Sequence, residues 1–556
     1  MQFCKMKLFR ISLLLILLAV LSENLKAQTA PGRYWIQFSD KDNVPQSINQ
    51  PENFLSPKCI ERRIRFGIGF DEKDLPIDET YVQQVLDLGF AQVVNRSKWF
   101  NAITIFTLDT TLIEEIALLP FVVETRKVES FIQPNKTRIE EEEITFRDQG
   151  TEAIKNEYGP SFRQIEMLNG HLLHEMNLYG QGMHIAVLDA GWNEADILPC
   201  FQHLRSSNLI LGVRDFVFGD DQVYGLSNHG TYVWSIMSGI IPDSLMGAAP
   251  LASYYLFRTE DPSWEFVIEE DNWVAAMEVC DSLGVDIINS SLGYSLFDDS
   301  LQNHTYADMD GNTTRISISA DIAAAKGILV VNSAGNSGNN EWRYITAPSD
   351  GDSVLCIGAV DENRVHAFFS SFGPSSDGDV KPNVSAMGLQ CVFAALDSTI
   401  SRGNGTSFSS PLIAGMAACL WQSFPEKNNM EIFRAIEQSA HLFSNPNDSL
   451  GYGIPNFYLA YQILSSVENA NESNPFVVWP TRIEDSINIA TTIELGPDLY
   501  AELIDNKGAI IETWEGALSG EKQSVVHHTI RPDISNGFYL LTIRSGDYKG
   551  TFKIVK

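Results

Sequence analysis

Gly405-Thr406-Ser407-Phe408-Ser409-Ser410-Pro411-Leu412-Ile413-Ala414-Gly415-Met416-Ala417-Ala418-Cys419-Leu420 is the stretch that decides how this chain is read. The apolar run from Leu412 predicts a buried helix, and Pro411 fits its first turn, where a missing N–H costs nothing. Ser407 then faces the open end of that helix. The first backbone N–H groups of a helix have no internal partner, and the dipole places partial positive charge there, so an oxyanion developing beside Ser407 would be stabilised. Such a position suits acyl chemistry.

A serine hydroxyl is a weak nucleophile near neutral pH, so it needs a base to take its proton and a carboxylate to orient that base. His229 opens His229-Gly230-Thr231, and Val233, Ile236, Met237 and Ile240 follow at helical spacing, which places the imidazole at a second helix start. Asp189 ends the apolar run Ile185-Ala186-Val187-Leu188 between Gly182 and Gly191, read as a buried strand with its functional residue at the carboxyl end. Asn336 lies in Asn332-Ser333-Ala334-Gly335-Asn336-Ser337-Gly338, directly after the strand-like Gly327-Ile328-Leu329-Val330-Val331, and offers an amide donor to an oxyanion. Taken singly, Asp-x-Gly is a turn, His-Gly-Thr a helix cap and Ala-Gly-Asn a loop. Their joint occurrence, each in the context the mechanism demands, favours catalysis. The rival is a secreted binding or adhesion protein on an inactive protease scaffold. A lipase or esterase fits less well, since Ser407 lacks a Gly-x-Ser-x-Gly elbow.

These segments resemble the subtilisin-type serine proteases, whose triad runs Asp, His, Ser along the chain. The resemblance covers residues 158–464 and is supported by Gly247-Ala248-Ala249-Pro250, Asp286-Ile287-Ile288-Asn289-Ser290-Ser291-Leu292-Gly293, Lys381-Pro382-Asn383-Val384 and Gly451-Tyr452-Gly453-Ile454-Pro455. It implies an α/β fold with a parallel sheet flanked by helices. It also implies a secreted endopeptidase working through an acyl-enzyme on Ser407, with His229 as general base and acid, Asp189 orienting it and Asn336 in the oxyanion hole. By the same resemblance, Ser291, Leu292 and Gly293 form one wall for the side chain preceding the cleaved bond, and Ala334 and Gly335 the other. An extended peptide would pair with the first wall as an added strand. Neither wall segment holds an acidic residue, so apolar or aromatic side chains are expected over basic ones. No cofactor is required for the chemistry. Relatives often bind calcium, and Tyr306-Ala307-Asp308-Met309-Asp310-Gly311-Asn312 is acidic enough for it, although a plain turn accounts for the same residues; the metal stays open. Two positions depart from the common pattern: Ala190 stands where many relatives carry serine or threonine, and Phe408-Ser409 where methionine and alanine are usual. Both are expected to alter packing and to leave proton transfer intact.

At 556 residues, 44% of them hydrophobic and 20% charged, the chain calls for several globular modules. Lys5, Lys7 and Arg10 precede the apolar run 11–21, and Leu25-Lys26-Ala27 offers a cleavage site, so residues 1–27 read as a secretory signal peptide. No later stretch reaches the roughly 20 apolar residues of a transmembrane helix. A formal charge of −32 argues against nucleic acid as a partner, since phosphate binding needs clustered Lys and Arg. Of seven cysteines, Cys280, Cys356 and Cys419 read as small core residues, and Cys200 with Cys391 is left open as a disulfide.

A propeptide-like α+β domain and linker are expected over 28–145, and within it residues 31 to about 130 alternate strand-like and helix-like segments: Tyr34-Trp35-Ile36-Gln37-Phe38, a helix from Tyr81, a strand over 99–106, a helix from Leu112 and a strand from Val122. This small α+β module resembles the inhibitory propeptide of secreted subtilisin-type zymogens, which makes the chain's own propeptide an expected inhibitor beside protein and peptide substrates. Its linker, 133–157, carries Glu140-Glu141-Glu142-Glu143 and reads as exposed, a place for processing or an uncut loop. The peptidase-like domain is expected over 146–464 and a small polar linker over 465–473. Residues 474–556 alternate short strands and turns, which predicts a β-sandwich. Asn474-Pro475-Phe476, Asp505-Asn506-Lys507-Gly508, Asn536-Gly537-Phe538-Tyr539 and the terminal lysines together resemble the sorting domain of the Bacteroidetes type IX secretion system. That implies export across the outer membrane, with the domain removed or used for surface attachment; a carbohydrate-binding or spacer sandwich is the alternative.

Overall fold

The computed structural model describes residues 32–130, 146–147, 157–469, 476–479, 486–491, 495, 498–505, 509–518, 525–535, 537–546 and 548–556. The expected signal peptide, most of the linker 133–157, the end of the linker 465–473 and most of the turn 505–508 lie outside these residues.

Seven parallel strands form the central sheet: β5 (His184–Asp189), β6 (Ile210–Asp215), β7 (Ser253–Arg258), β8 (Ile287–Ser290), β9 (Leu329–Ser333), β10 (Val354–Val360) and β11 (Val384–Met387), after four strands of the N-terminal module. Their spatial order is β11-β10-β9-β8-β5-β7-β6, so the chain goes from β5 to the edge at β6, returns to insert β7 between them, and then crosses to build outward from β8 to β11 on the other side. A crevice opens at the carboxyl end of a strand where such an order reverses, and Asp189 is the last residue of that strand.

Alternation along β5 sorts its side chains between two cores. Ile185 and Val187 join a cluster with Val233, Ile236, Leu412 and Ile413, from helices His229–Ser238 and Thr406–Trp421. Ala186 and Leu188 join a second cluster with Trp273, Met277 and Ala320, from helices Ile268–Leu283 and Arg315–Ala325. Asp189 has the parity of Ile185 and Val187 and therefore points toward the helices that begin at His229 and beside Ser407.

The N-terminal module is a four-stranded antiparallel sheet of β1 (Gly32–Phe38), β2 (Gln92–Ser97), β3 (Ala102–Thr107) and β4 (Val122–Ser130), in the order β2-β3-β1-β4. Tyr34, Ile36 and Phe38 pack against the module's own helices, Glu79–Asp87 and Thr111–Ile116. Trp35, Trp99, Ala102 and Val128 face the other way and complete the second core of the central domain. Each such burial contributes roughly 1.5–3 kcal/mol for a large side chain. The strand expected over 99–106 is in fact a hairpin: Trp99 sits in the turn, and Asn101 takes φ 50° there.

A polar seam reinforces this contact. Glu278 accepts from Ser97 Oγ at 2.6 Å, the Lys98 N–H at 2.7 Å and the Trp99 N–H at 3.0 Å. At the far end, helix Pro57–Phe66 sends Arg62 and Arg63 inward to Asp281, at 2.7 and 3.0 Å. Arg63 also meets Asp74 at 3.0 Å, and Asp74 meets Lys326 at 2.7 Å. Burial opposes charge on Asp281, but Lys98, Arg63, Arg62 and Lys326 together hold its carboxyl below the ordinary value.

Two further features revise sequence expectations. Helix Phe457–Asn469 runs on through residues 465–469, into the expected linker, and Phe146–Arg147 pairs with strand Ile400–Gly403 inside the other. The described residues of 476–556 form two antiparallel sheets around Val478, Ile487, Leu503, Trp514 and Leu541, as the sandwich expectation required. Among the described residues, no helix is long and apolar enough to cross a membrane.

His174 links two segments of the central domain in its neutral form. Its Nδ1 lies 2.8 Å from the Tyr158 hydroxyl and its Nε2 2.9 Å from the Ala248 carbonyl, so Nε2 carries the hydrogen and Nδ1 accepts. Burial pushes its pKa down to about 4. The unfolded ring takes a proton below about 6.5 and the folded ring only near 4, so stability is full above 6.5 and falls as pH drops toward 4. Wild type should lose roughly 3 kcal/mol more than His174→Gln over this window. Thermal melts of both proteins at pH 7 and pH 4 measure the difference.

Candidate active site

His229 opens its helix, and its Nδ1 lies 2.9 Å and 3.0 Å from the two carboxylate oxygens of Asp189. Asp189 is fully buried, while the imidazole is 27% exposed, so the carboxylate is fixed and the far edge of the ring faces the cleft. Gly230 makes the approach possible. A Cβ there would stand 2.5 Å from the Gly191 carbonyl oxygen and 3.1 Å from Asp189 Cβ. The His229 ring also stacks near Phe408, at 6.4 Å between centroids and 26° between planes, which brings it against the first turn of the serine helix.

That helix runs Thr406–Trp421, so Ser407 lies inside its first turn and Pro411 lies inside the helix, one turn later than expected. The shift has a local consequence. Residue 411 has no N–H for the Ser407 carbonyl, and that carbonyl accepts instead from Ser291 Oγ at 3.1 Å. Ser407 Oγ in turn lies 3.4 Å from the Ser291 carbonyl, so the expected nucleophile and the expected substrate wall are tied directly.

Asn336 reaches the same place from the loop after β9. Its Oδ1 accepts from the Thr406 N–H at 2.9 Å and Thr406 Oγ1 at 3.0 Å, which holds the side-chain amide beside the start of the serine helix. The point where Gly405 would carry a Cβ is 3.7 Å from both Asn336 Nδ2 and the Ser407 backbone nitrogen. Two N–H donors near one point can stabilise negative charge developing there.

The two expected walls stand side by side. Asn332 Nδ2 donates to the Leu292 carbonyl at 3.0 Å, and the Thr346 hydroxyl lies against both Gly293 and Gly335, where added Cβ atoms would come within 2.1 and 3.1 Å of it. Sequence reading missed that Thr406, although it stands beside Ser407 in the decisive stretch, holds Asn336, and it missed Thr346, which sits in no distinctive motif. It also missed an acidic neighbour. Glu260 accepts from the Tyr294 hydroxyl, next to Gly293, and ligand-type oxygens of Glu260, Glu265 and Glu269 lie within 4.8 Å of one another. Burial and Glu260 push the Tyr294 phenol well above its ordinary pKa, so it donates as a neutral hydroxyl.

In the segment 306–312, Asp308 accepts from the Thr305 N–H and hydroxyl, and Asp310 from the Asn312 N–H and the Thr313 hydroxyl, which is turn and cap chemistry. Cys200 and Cys391 are not joined; all six described cysteines are free and buried. The Cys391 thiol meets Gln164 Oε1 at 3.3 Å instead.

Residues 180–453 match the peptidase S8 model of the subtilase family, and residues 33–143 match the peptidase S8 propeptide domain of Bacteroidota. Residues 180–453 form a subtilase domain. Subtilisin DY of Bacillus licheniformis is 29% identical over 291 residues, covering 52% of this chain and 93% of that one. The thermophilic serine proteinase of Bacillus sp. strain AK1 is 30% identical over 281 residues, covering 50% of this chain and 61% of that one. Among solved structures, the MycP3 protease from the type VII (ESX-3) secretion system is 20% identical with a TM-score of 0.42, covering 56% of this chain and 92% of that one. The subtilase domain thus carries a propeptide domain ahead of it, and the chain is a serine-type peptidase.

Proposed function

We propose that this subtilase is an exported serine endopeptidase that cleaves peptide bonds through an acyl-enzyme on Ser407. His229 takes the serine proton and returns it to the leaving amine. Asp189 holds the imidazole with its proton on Nδ1, leaving Nε2 to act as base. Asn336 and the Ser407 N–H receive the oxyanion. Ser291, Leu292 and Gly293, with Ala334 and Gly335, hold the side chain before the scissile bond, and uncharged wall segments favour apolar or aromatic ones. The observation that carries this reading is the 2.9 Å contact of Asp189 with His229 Nδ1, on the sheet face that also holds the Ser407 helix.

The N-terminal module restrains the enzyme until it is cut away, and its seam with helices Ile268–Leu283 and Arg315–Ala325 supports that role. A signal peptide and a type IX sorting function for the C-terminal sandwich complete the proposed route out of the cell. Treating processed protein with a fluorophosphonate probe tests the catalytic reading. Labelling is expected in wild type and absent in Ser407→Ala. Processed wild type that takes no label would favour the inactive binding scaffold.

A further inference from the structure

The structure assigns a positioning role to Arg258, which orients Asp189 through the backbone of Ala190. The inference rests on the catalytic reading of Asp189 and His229. Ala190 brings no side-chain donor to the neighbouring carboxylate. Its backbone does the work instead. The Ala190 N–H donates to Asp189 Oδ1 at 2.7 Å, and the Ala190 carbonyl accepts from Arg258 Nε at 3.1 Å. Residue 190 is thus gripped at both polar groups.

Arg258 is itself immobilised. It ends β7, in register with Asp189 on one neighbouring strand and Asp215 on the other. The side chain is 1% exposed. Nη1 donates to Asp215 Oδ2 at 2.7 Å, Nη2 lies 3.8 Å from Asp261, and the guanidinium sits 4.8 Å above the Phe218 ring. Asp215 Oδ1 is occupied in turn by the N–H groups of Val217 and Phe218, at 2.8 and 3.1 Å. Burying a guanidinium costs several kcal/mol before pairing, and an apolar residue could fill a strand end without that cost. What the charge adds here is a fixed fork. One prong holds Asp215 and the other the turn after the triad acid.

The turn carries the effect to the base as well. The Gly191 carbonyl abuts Gly230, the neighbour of His229, so displacement of the 190–191 turn shifts both ends of the Asp189–His229 contact.

Arg258→Lys keeps the charge but cannot reach Asp215 and the Ala190 carbonyl with one planar group. It should lower kcat about 10- to 100-fold with KM nearly unchanged, the size of effect expected from a slightly misplaced catalytic group. Two readouts separate positioning from mere folding. In an Asp189→Asn background the same substitution should change kcat less than about twofold, because the group it positions is gone. Adding Ala190→Ser to Arg258→Lys should recover part of the loss by supplying a donor beside the carboxylate. Equal losses in both backgrounds, or wild-type kcat in Arg258→Lys, would overturn the assignment. Should Arg258→Lys not fold, Arg258→Gln with Asp215→Asn removes both buried charges and takes its place in the cycle. Active wild type labelled at Ser407, together with additive losses, sinks this inference alone; wild type that takes no label withdraws the catalytic reading and this one with it.

Discussion

Asp189→Asn should lower kcat about 10⁴-fold while leaving KM within a small factor, the order seen when a triad acid is removed. The cause is a tautomer. Asp189 Oδ1 already accepts from the Ala190 N–H, so an asparagine would place its oxygen there and turn its NH₂ toward His229 Nδ1. Nδ1 must then accept, the ring hydrogen moves to Nε2, and the nitrogen that should take the Ser407 proton is blocked. Because Asp189 is fully buried and its replacement nearly isosteric, the fold should survive. Steady-state kinetics on a chromogenic peptide, with a thermal melt beside it, measures both parts. A loss below about tenfold in a folded protein would contradict the role given to Asp189.

The second large effect is expected far from the cleft, at Asp281. This carboxylate lies in the last turn of helix Ile268–Leu283 and binds Arg62 and Arg63 from the N-terminal module, with Lys98 Nζ at 3.6 Å. Asp281→Ala strands the buried Arg62 guanidinium and leaves Arg63 with Asp74 alone. Breaking a buried pair in this way costs about 3–5 kcal/mol, so the module should bind the peptidase domain roughly 10²–10⁴-fold more weakly. Gel filtration of cleaved protein shows whether the two pieces still travel together. Wild type should elute as a complex, and Asp281→Ala should separate and gain peptidase activity. Arg62→Met added to Asp281→Ala should restore part of the binding, since it removes the stranded charge. Persistence of an unchanged complex in Asp281→Ala would place the attachment in the Trp35, Trp99 and Glu278 contacts instead.

The parts of the site that were legible in sequence are those set by local structure. Asp189 ends a strand of four consecutive apolar residues, and His229 begins a helix whose apolar positions recur at its own period, so each context could be read without knowing the neighbours. Pro411 misled because a proline is most often tolerated in a first turn. Here the helix starts earlier, and the unsatisfied Ser407 carbonyl finds Ser291, a residue 116 positions away that no local rule can supply. Helix Pro57–Phe66 escaped notice for a related reason. Its inward face carries Arg62 and Arg63 while Ile64 is 71% exposed, so its polarity pattern is inverted and makes sense only beside Asp281 and Asp74. The edge strand Ile210–Asp215, mostly half-buried, gave no clear apolar alternation either.

The six described cysteines, all buried thiols, have a bearing on how this fold resists oxidation. Burial raises the pKa of every one of them, so almost none is present as the reactive anion that oxidants and exchange enzymes attack. Sulfur here serves as packing material. Among the described residues no disulfide staples the interior, so durability depends on how well that interior is filled, whatever the redox state around it.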